Sequence, residues 1–315
     1  QLPYIDRVVL TVADGKLIPA KAGAGESDLQ SRAIFFNNFT FLKENEERNE
    51  YSTYLWRTAK GAHLALYPNL NNNDPVWREL FRDLRFRRAL SLAIDRSLIN
   101  QTLYYGLAIE GNNTVLPASP LFRDEYQTAW TGYDIQAANR LLDEMGLTER
   151  DSGGTRLLPD GRTMDVIVET AGEDTEQTDV LELVRDGWAE IGIRLFSKPS
   201  QREVFRNRIF SGETQVSIWG GFENGVPTPD MSPAELAPTM QHSLQWPKWG
   251  QYFETSGGAG EAPDLPAALE LARLNEEWLA AATRAEREAV WQRMLRIHAD
   301  EMFTIGIVAG VMQPI

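Results

Sequence analysis

The stretch 81–96, FRDLRFRRALSLAIDR, carries the strongest secondary-structure signal in the chain. Apolar residues recur there at the three- and four-residue spacing that places them on one face of a helix. Asp83 can cap the start of such a helix, and Gly106 can end it. The pattern therefore predicts one amphipathic helix from about Asp83 to Tyr105, with a buried stripe formed by Phe86, Ala89, Leu90, Ala93, Ile94, Leu98, Ile99 and Leu103.

Further along the chain, a strand, a helix and a second strand follow one another with short connections. Met164–Thr170 is rich in β-branched residues, Asp179–Ile191 is amphipathic, and Ile193–Phe196 comes soon after it. Two strands joined by a crossover helix pair in parallel. A further strand is predicted for Thr214–Trp219. The chain is therefore predicted to be an α/β protein.

Two more strands are predicted nearer the N-terminus. Tyr4–Val12 is a β-branched run and Ala62–Leu70 is an apolar run, and both patterns are typical of strands. The break at Asn71–Pro75 is the candidate crossing between two structural units. Gly220–Ala262 is long, rich in glycine, proline and aromatic residues, and lacks periodicity, which favours a functional or mobile segment.

A helical pair is predicted after this segment, over Pro266–Ala282 and Arg284–Glu301. Thr283 and Glu286 have the spacing of a capping box, so the second helix is expected to begin there.

The composition excludes several classes of function. The 315 residues contain 31 Lys and Arg against 45 Asp and Glu, a net charge of −14. This excess of acidic residues argues against nucleic acid as the main partner, because proteins that bind a phosphate backbone need a positively charged surface. The chain has no cysteine, which excludes disulfides and thiolate metal sites. The histidines, His63, His242 and His298, lack zinc-ligand spacing, and we expect neither a metal nor another cofactor.

Several motifs, taken in order, resemble those of the family 5 extracellular solute-binding proteins, the dipeptide, oligopeptide and nickel receptors of ABC importers. The stretch 81–96 is similar to the family signature D-x-R-x-R-x-A-L-x-x-A-I-D-R, and Leu2–Val8 is similar to the family's PYLDR strand. Further similar motifs lie at Ala24–Asp28, at Tyr133–Leu142 and at Trp188–Ile193. Each motif alone is weak, but their shared order makes the resemblance strong.

The resemblance implies a two-lobed, hinged clamp of the periplasmic-binding-protein type. It implies a type II-like lobe, with a mixed sheet flanked by helices, and hinge strands from a partial first lobe. Residues 1–74 are then expected to form the partial first lobe and hinge, 75–300 the second lobe, and 301–315 a return strand toward the first lobe. In the family, a lobe segment and a signal peptide precede the PYLDR strand, so we expect this chain to be truncated.

The same resemblance implies a receptor that captures a small polar solute between two hinged lobes, by favouring their closed state and without catalysis. The implied partners are a peptide, sugar or sugar-like solute and the transmembrane subunits of the permease. The implied location is the periplasm or the extracellular space, where the receptor is associated with the membrane through its importer. The implied oligomeric state is a monomer. Two alternatives stay open: a fragment that binds nothing on its own, and a hydrolase that uses two converging carboxylates, for which Glu223 is the residue to test. The close pairs Glu26 with Asp28 and Glu173 with Asp174 lie in predicted turns, and adjacency in the sequence does not place two carboxylates across a cleft.

The stretch 219–227, WGGFENGVP, is the best candidate for the solute site. A strand that ends in an aromatic ring and two glycines places backbone and a flat ring at the edge of a cleft. Peptide-binding members resemble W-x-x-D here, and their aspartate pairs with the ligand's α-ammonium group. This chain has Phe222 at that position, followed by Glu223 and Asn224. The alternative is that Trp219 is a core residue beside a glycine turn.

Three aromatic residues of the long segment, Trp246, Trp249 and Tyr252, are further candidates, because flat rings with a polar tip suit sugar-like ligands. The alternative is that they anchor the segment to its lobe. Asn113 can hydrogen-bond a solute, with a solvated turn as its alternative. The departure at Phe222 and these aromatic residues favour a sugar or sugar-like solute over a peptide.

Overall fold

The computed structural model describes residues 4–172 and 175–315 and divides into two compact units. The smaller unit comprises the described residues up to Arg57 together with Met312–Ile315, and the larger unit is Thr58–Val311. The expected boundaries at 74 and 301 differ from this division. The reason is that the strand before residue 74 and the strand after residue 301 pair with each other in the sheet of the larger unit.

The described helices are α1 (Ile18–Gly23), α2 (Phe39–Asn49), α3 (Pro75–Arg82), α4 (Leu84–Leu92), α5 (Arg96–Tyr104), α6 (Asp124–Thr128), α7 (Ile135–Glu144), α8 (Glu176–Glu190), α9 (Arg202–Phe210), α10 (Pro247–Glu254), α11 (Pro266–Ala280) and α12 (Arg284–Glu301). The described strands are β1 (Leu55–Arg57), β2 (Leu64–Pro68), β3 (Ile109–Glu110), β4 (Asp165–Thr170), β5 (Arg194–Pro199), β6 (Val216–Trp219), β7 (Ile305–Ala309) and β8 (Met312–Pro314). Short 3-10 helices occur at Gly15–Leu17, Phe36–Asn38 and Ala234–Leu236. No described helix combines the length and the apolar character needed to cross a membrane.

The smaller unit contains α1, α2 and an antiparallel ribbon in which β1 pairs with β8. The strand predicted for Tyr4–Val12 is wrong, because these residues form no strand and most of their side chains are exposed. A run of β-branched residues forms a strand only when a neighbouring strand is available to pair with it. Gln1–Pro3, which includes the start of the PYLDR-like motif, lies outside the described residues.

The larger unit is built on a six-stranded mixed sheet with the strand order β3-β7-β2-β6-β4-β5. β4 is parallel to β5 and β6, whereas β2 is antiparallel to β6 and β7. The predicted crossover is confirmed, since α8 connects the parallel strands β4 and β5, and Val166 pairs with Leu195. The prediction of an α/β fold with a mixed sheet and packed helices is therefore confirmed.

The single helix predicted from Asp83 to Tyr105 is two helices, α4 and α5, with a break between Leu92 and Arg96. Asp83 caps α4 by accepting a hydrogen bond from the backbone N–H of Arg85 at 2.8 Å. Asp95 caps α5 in the same way, accepting from the N–H of Leu98 at 2.9 Å. Of the predicted stripe beyond the break, Ile99 is buried and Leu103 is partly buried, but Leu98 is exposed, so its predicted burial is wrong. The break changes which residues of α5 face the core, because the side chain of Asp95 bonds to the backbone N–H of Leu98 and starts a new helix.

Arg96, the last residue of the quoted stretch, holds three parts of the larger unit together. It is 3% exposed, and its Nε donates to the carbonyl oxygen of Gly306 in β7 at 2.9 Å. Its Nη1 donates to the carbonyls of Ser91 and Thr131, each at 3.0 Å. Burial lowers the pKa of Arg96 to about 9. Its role in the described structure is therefore to satisfy backbone carbonyls between α4, the 131 loop and β7.

The predicted helical pair is confirmed as α11 and α12, including the capping box at the start of α12. The N–H of Glu286 donates to the Thr283 hydroxyl at 3.2 Å, and the N–H of Thr283 donates to the Glu286 carboxylate at 2.9 Å. These helices contribute to a second apolar core, which is separate from the core that α3–α5, α7 and α8 form on the sheet.

Candidate functional site

A cavity of about 590 Å³ lies in the larger unit, where β6 ends at Trp219. Its aromatic lining comes from the sheet, from α9 and from the segment just after β6: Tyr67, Phe205, Phe210, Trp219 and Phe222. Its polar lining includes Asn113, Arg206, Glu223, Glu235, Gln245 and His298. A cavity of this size, with apolar walls and a few polar groups, has the dimensions of a small-molecule site.

Trp219 is half-buried and forms part of the cavity wall. Its ring packs against Phe205, with the ring centroids 5.8 Å apart, and the guanidinium carbon of Arg202 lies 5.1 Å from its centroid. The strand register places Trp219 opposite Ala65 of β2. A large ring opposite a small residue at the end of a strand leaves open space beside it, so Trp219 is not sealed in the core.

Gly221, the second glycine after Trp219, allows the chain to pass very close to neighbouring backbone. A Cβ on Gly221 would lie 2.7 Å from the backbone nitrogen of Ala62 and 2.3 Å from Asn113 Oδ1. The N–H of Gly221 donates to the Ala62 carbonyl at 2.9 Å. The N–H of Phe222 donates to Asn113 Oδ1 at 2.8 Å, and Asn113 Nδ2 donates to Thr304 Oγ1 at 3.1 Å. Asn113 therefore positions the cavity wall.

The three residues after the glycines have different environments. Phe222 is 6% exposed, borders the cavity and packs its ring 6.2 Å from that of Trp291. Glu223 is exposed, lines the cavity and forms an ion pair with Lys60, with Oε1 and Nζ 2.8 Å apart. Asn224 is exposed and accepts a hydrogen bond from the N–H of Val226 at 3.0 Å, outside the cavity lining.

The other aromatic candidates do not line the cavity. Trp246 and Trp249 are both fully buried in the second core, where their rings stack with centroids 6.1 Å apart. Tyr252 is partly exposed on α10 and is likewise outside the lining. The two tryptophans therefore anchor the long segment to the helical core, which was the structural alternative for them. Glu173 and Asp174 lie outside the described residues.

Glu235, in the 3-10 helix Ala234–Leu236, lines the cavity but was not predicted from the sequence. Its carboxyl oxygens accept from the N–H of Glu223, at 3.0 Å for Oε1. Burial, and then the nearby charge of Glu223, raise the pKa of Glu235 to about 7. The only sequence signal available for it was its place in a long aperiodic segment.

His298 also lines the cavity and was recognised in the sequence only as lacking zinc-ligand spacing. Its Nε2 lies 2.7 Å from the carbonyl oxygen of Leu236, which requires Nε2 to carry the proton. Burial lowers the pKa of His298 to about 4, so the ring is neutral at pH 7. The described residues contain no group of three or more side chains arranged to hold a metal ion.

Glu235 gives a pH-dependent expectation. Its pKa in the folded state is above the ordinary value of 4.5, so folding favours the neutral carboxyl. The stability it contributes is complete below about pH 4.5 and is lost as the pH rises through about 7. We expect Glu235→Gln to match the parent chain near pH 5 and to be more stable by about 2 kcal/mol at about pH 8.5, measured by urea unfolding.

The matched control for this prediction is Glu276→Gln, the same change at an exposed position of α11. The control should leave the free energy of unfolding within about 0.5 kcal/mol of the parent at both pH values. A Glu235→Gln chain whose stability difference is the same at both pH values would contradict the prediction.

Together, the mixed sheet, its crossover helix and the cavity at a strand end define a lobe of the type II periplasmic-binding-protein class. The model of bacterial extracellular solute-binding proteins, family 5 Middle, matches residues 1–239. The chain therefore belongs to the family 5 bacterial extracellular solute-binding proteins, as the sequence motifs predicted.

Individual relatives agree with this assignment. The periplasmic alpha-galactoside-binding protein of Rhizobium meliloti is 22% identical over 98% of this chain and 45% of its own length. An oligopeptide-binding protein, OppA, superposes with a TM-score of 0.75 and 29% identity over 96% of this chain and 50% of its own. The periplasmic binding protein MelB of Agrobacterium fabrum, solved with stachyose, has a TM-score of 0.77 and 17% identity over 96% of this chain and 46% of its own.

The chain thus spans about half the length of the relatives it matches. These relatives are named as binding proteins, and the comparisons give no support to the hydrolase alternative.

Proposed function

We propose that this chain is the solute-receptor part of an ABC importer and that it captures a small polar solute in the cavity beside Trp219. The observation that carries the proposal is the position of this ring, at the end of a strand and in the wall of a cavity of about 590 Å³. Trp219, Phe222 and Glu223 contribute to the proposed site, and Asn113 positions its wall. Asn224, Trp246, Trp249 and Tyr252 are left out, because none of them lines the cavity.

The proposed role involves binding without chemical change of the solute. A receptor of this kind works because its solute binds one conformation better than another and so shifts the population toward it. The proposed partners are the transmembrane subunits of a permease, and the proposed location is the periplasm or the extracellular space. The names of the relatives, which refer to an alpha-galactoside, oligopeptides and stachyose, support a peptide, a sugar or a sugar-like solute.

Calorimetric titration of this chain with a panel of galactosides, stachyose and short peptides tests the proposal. We expect saturable binding of at least one member of the panel. Trp219→Ala should weaken that binding at least about tenfold, because it removes a large flat surface from the cavity wall.

Tyr252→Ala is the matched control, since Tyr252 is a partly exposed aromatic residue outside the cavity, and it should leave the affinity within about twofold. Absence of binding across the whole panel would contradict the receptor role. Equal losses in Trp219→Ala and Tyr252→Ala would contradict the location of the site.

A further inference from the structure

We propose that the cavity binds an uncharged hydroxyl group of the solute against a neutral patch formed by Gln245, His298 and Thr304. These residues come from the segment before α10, from α12 and from the residue before β7, and all three line the cavity. The inference rests on the proposed function and deepens it, because it assigns the chemical class of a solute group that enters the cavity.

Two buried aromatic rings bring the residues of the neutral patch together. The ring of Trp246 contacts that of His298 edge to face, with centroids 5.9 Å apart, and the ring of Phe303 contacts it in the same way at 5.6 Å. Gln245 directly precedes Trp246, and Thr304 directly follows Phe303. The three polar side chains therefore belong to one part of the cavity wall.

His298 offers the cavity a hydrogen-bond acceptor. Its Nε2 donates to the carbonyl oxygen of Leu236 at 2.7 Å, so Nδ1 is without a proton when the ring is neutral. Among the residues that the structure describes, no donor bonds to this Nδ1. The ring is only partly buried and lines the cavity, so its accessible surface faces a solute there. A donor that enters the cavity can therefore bond to Nδ1.

The other two residues of the neutral patch add an acceptor and a donor. Gln245 is 4% exposed, and its Oε1 accepts no hydrogen bond from any described residue, an arrangement that native structures rarely retain. Thr304 is 6% exposed, and its Oγ1 accepts from Asn113 Nδ2 at 3.1 Å, which leaves the hydroxyl proton to donate. A solute hydroxyl both donates and accepts, whereas an ammonium group has no acceptor and a carboxylate has no donor.

The surroundings of His298 favour an uncharged group at the neutral patch. Burial lowers the pKa of His298 to about 4 against the opposing effect of its bond to Leu236, and no charged side chain of the described chain contributes to this shift. The carboxyl groups of the lining are on Glu223 and Glu235, and its guanidinium group is on Arg206 of α9. An ion at the patch would lose water without gaining an opposite charge from the patch itself, which is unfavourable.

Four small compounds with one benzene ring separate hydroxyl chemistry from charge and shape. At about pH 7.5, benzyl alcohol donates and accepts, its methyl ether only accepts, benzylamine is cationic and benzoate is anionic. Their ring suits the aromatic lining of the cavity. We expect NMR titration to show that benzyl alcohol binds the chain at least about fivefold more tightly than each of the others, the value of one neutral hydrogen bond.

The imidazole nitrogen signals give a second measurement on the parent chain. The chain has three histidines, so single histidine variants assign the signals. Benzyl alcohol should shift the signal of His298 Nδ1, because that nitrogen gains a hydrogen bond, and the methyl ether should leave it in place. A purely structural role of His298 would give no such difference between the two compounds.

Substitutions test the two kinds of bond. His298→Phe keeps a ring without the acceptor, and Thr304→Val keeps the shape without the donor. Each should weaken benzyl alcohol about fivefold and leave the methyl ether within about twofold, whereas Thr304→Ser should retain the parent affinity. Thr102→Val, at an exposed position of α5, is the matched control and should change none of the affinities. Circular dichroism confirms that each variant is folded.

Three results would overturn the inference and leave the receptor role intact. The first is the methyl ether, benzylamine or benzoate binding as tightly as benzyl alcohol. The second is bound benzyl alcohol that leaves the His298 Nδ1 signal unshifted, a result that does not depend on the folding of His298→Phe. The third is failure of benzyl alcohol to bind, while the receptor role is judged separately by the panel of galactosides, stachyose and peptides.

Discussion

Arg96→Met is expected to destabilise the chain by about 4 kcal/mol, because it removes a buried guanidinium that serves several backbone carbonyls at once. Gly306 of β7, Ser91 of α4 and Thr131 each lose a hydrogen bond of 2.9–3.0 Å. Methionine fills much of the volume but donates nothing, so these buried oxygens are left without a partner. The free energy of unfolding, measured by urea titration with circular dichroism, checks this value.

Arg185→Met provides the control, since Arg185 is a half-exposed arginine on α8 that pairs with Glu182 one helical turn earlier. Surface ion pairs of this kind contribute about 0–1 kcal/mol, so the control should be close to the parent chain. If Arg96→Met lost less than about 1 kcal/mol, the carbonyl-binding role assigned to Arg96 would be wrong.

Gly306→Ala is expected to cost about 3 kcal/mol, because there is no room for a side chain where β7 passes the 112–113 backbone. A Cβ on Gly306 would lie 2.2 Å from the backbone nitrogen of Asn113 and 2.3 Å from the carbonyl carbon of Asn112. Relief of that overlap requires the backbone to move, and Asn113 holds the cavity wall through its bond to Phe222. We therefore expect weaker solute binding together with the loss of stability.

Gly132→Ala is the matched control, because a Cβ on Gly132 would have no neighbour within 4 Å. It should change the free energy of unfolding by less than about 0.5 kcal/mol. A Gly306→Ala chain with the stability of this control would show that the 112–113 loop moves freely, and the positioning role of Asn113 would then be wrong.

Much of the fold could be predicted from the sequence because it depends on local patterns. The β-branched residues of Met164–Thr170 and the helical spacing in the following segment are enough to predict β4, α8 and β5 and their parallel pairing. The Thr283 capping box located the start of α12 to the residue. The buried stripe predicted after Asp83 is correct for α4 but wrong at Leu98, which is 46% exposed on α5. Spacing alone could not reveal that Asp95 bonds to the backbone and divides the helix.

The site was only partly predictable from the sequence. Trp219 and the glycines after it could be predicted as site candidates because they follow the end of β6, and where a strand ends depends on the local sequence. Tyr252 and the two buried tryptophans looked like equivalent aromatic residues, and their burial depends on which side of α10 packs on the helical core. Glu235 and Gln245 carry no periodic or motif signal, so nothing in the sequence distinguished them from other polar residues of the long segment.

The sequence by itself determined the class of fold, the order of its main elements, the family and the strand end beside which the cavity lies. The fold class, the order of elements and the strand end follow from spacing, capping and turn chemistry, which act over a few residues. The family follows from the resemblance of several motifs in the same order. The tertiary structure alone decided which side chains face the cavity and which are buried, and it brought Glu235 next to Glu223 and His298 next to Leu236. Burial, charge balance and unpartnered acceptors arise from contacts between segments far apart in the chain, and no local pattern encodes them.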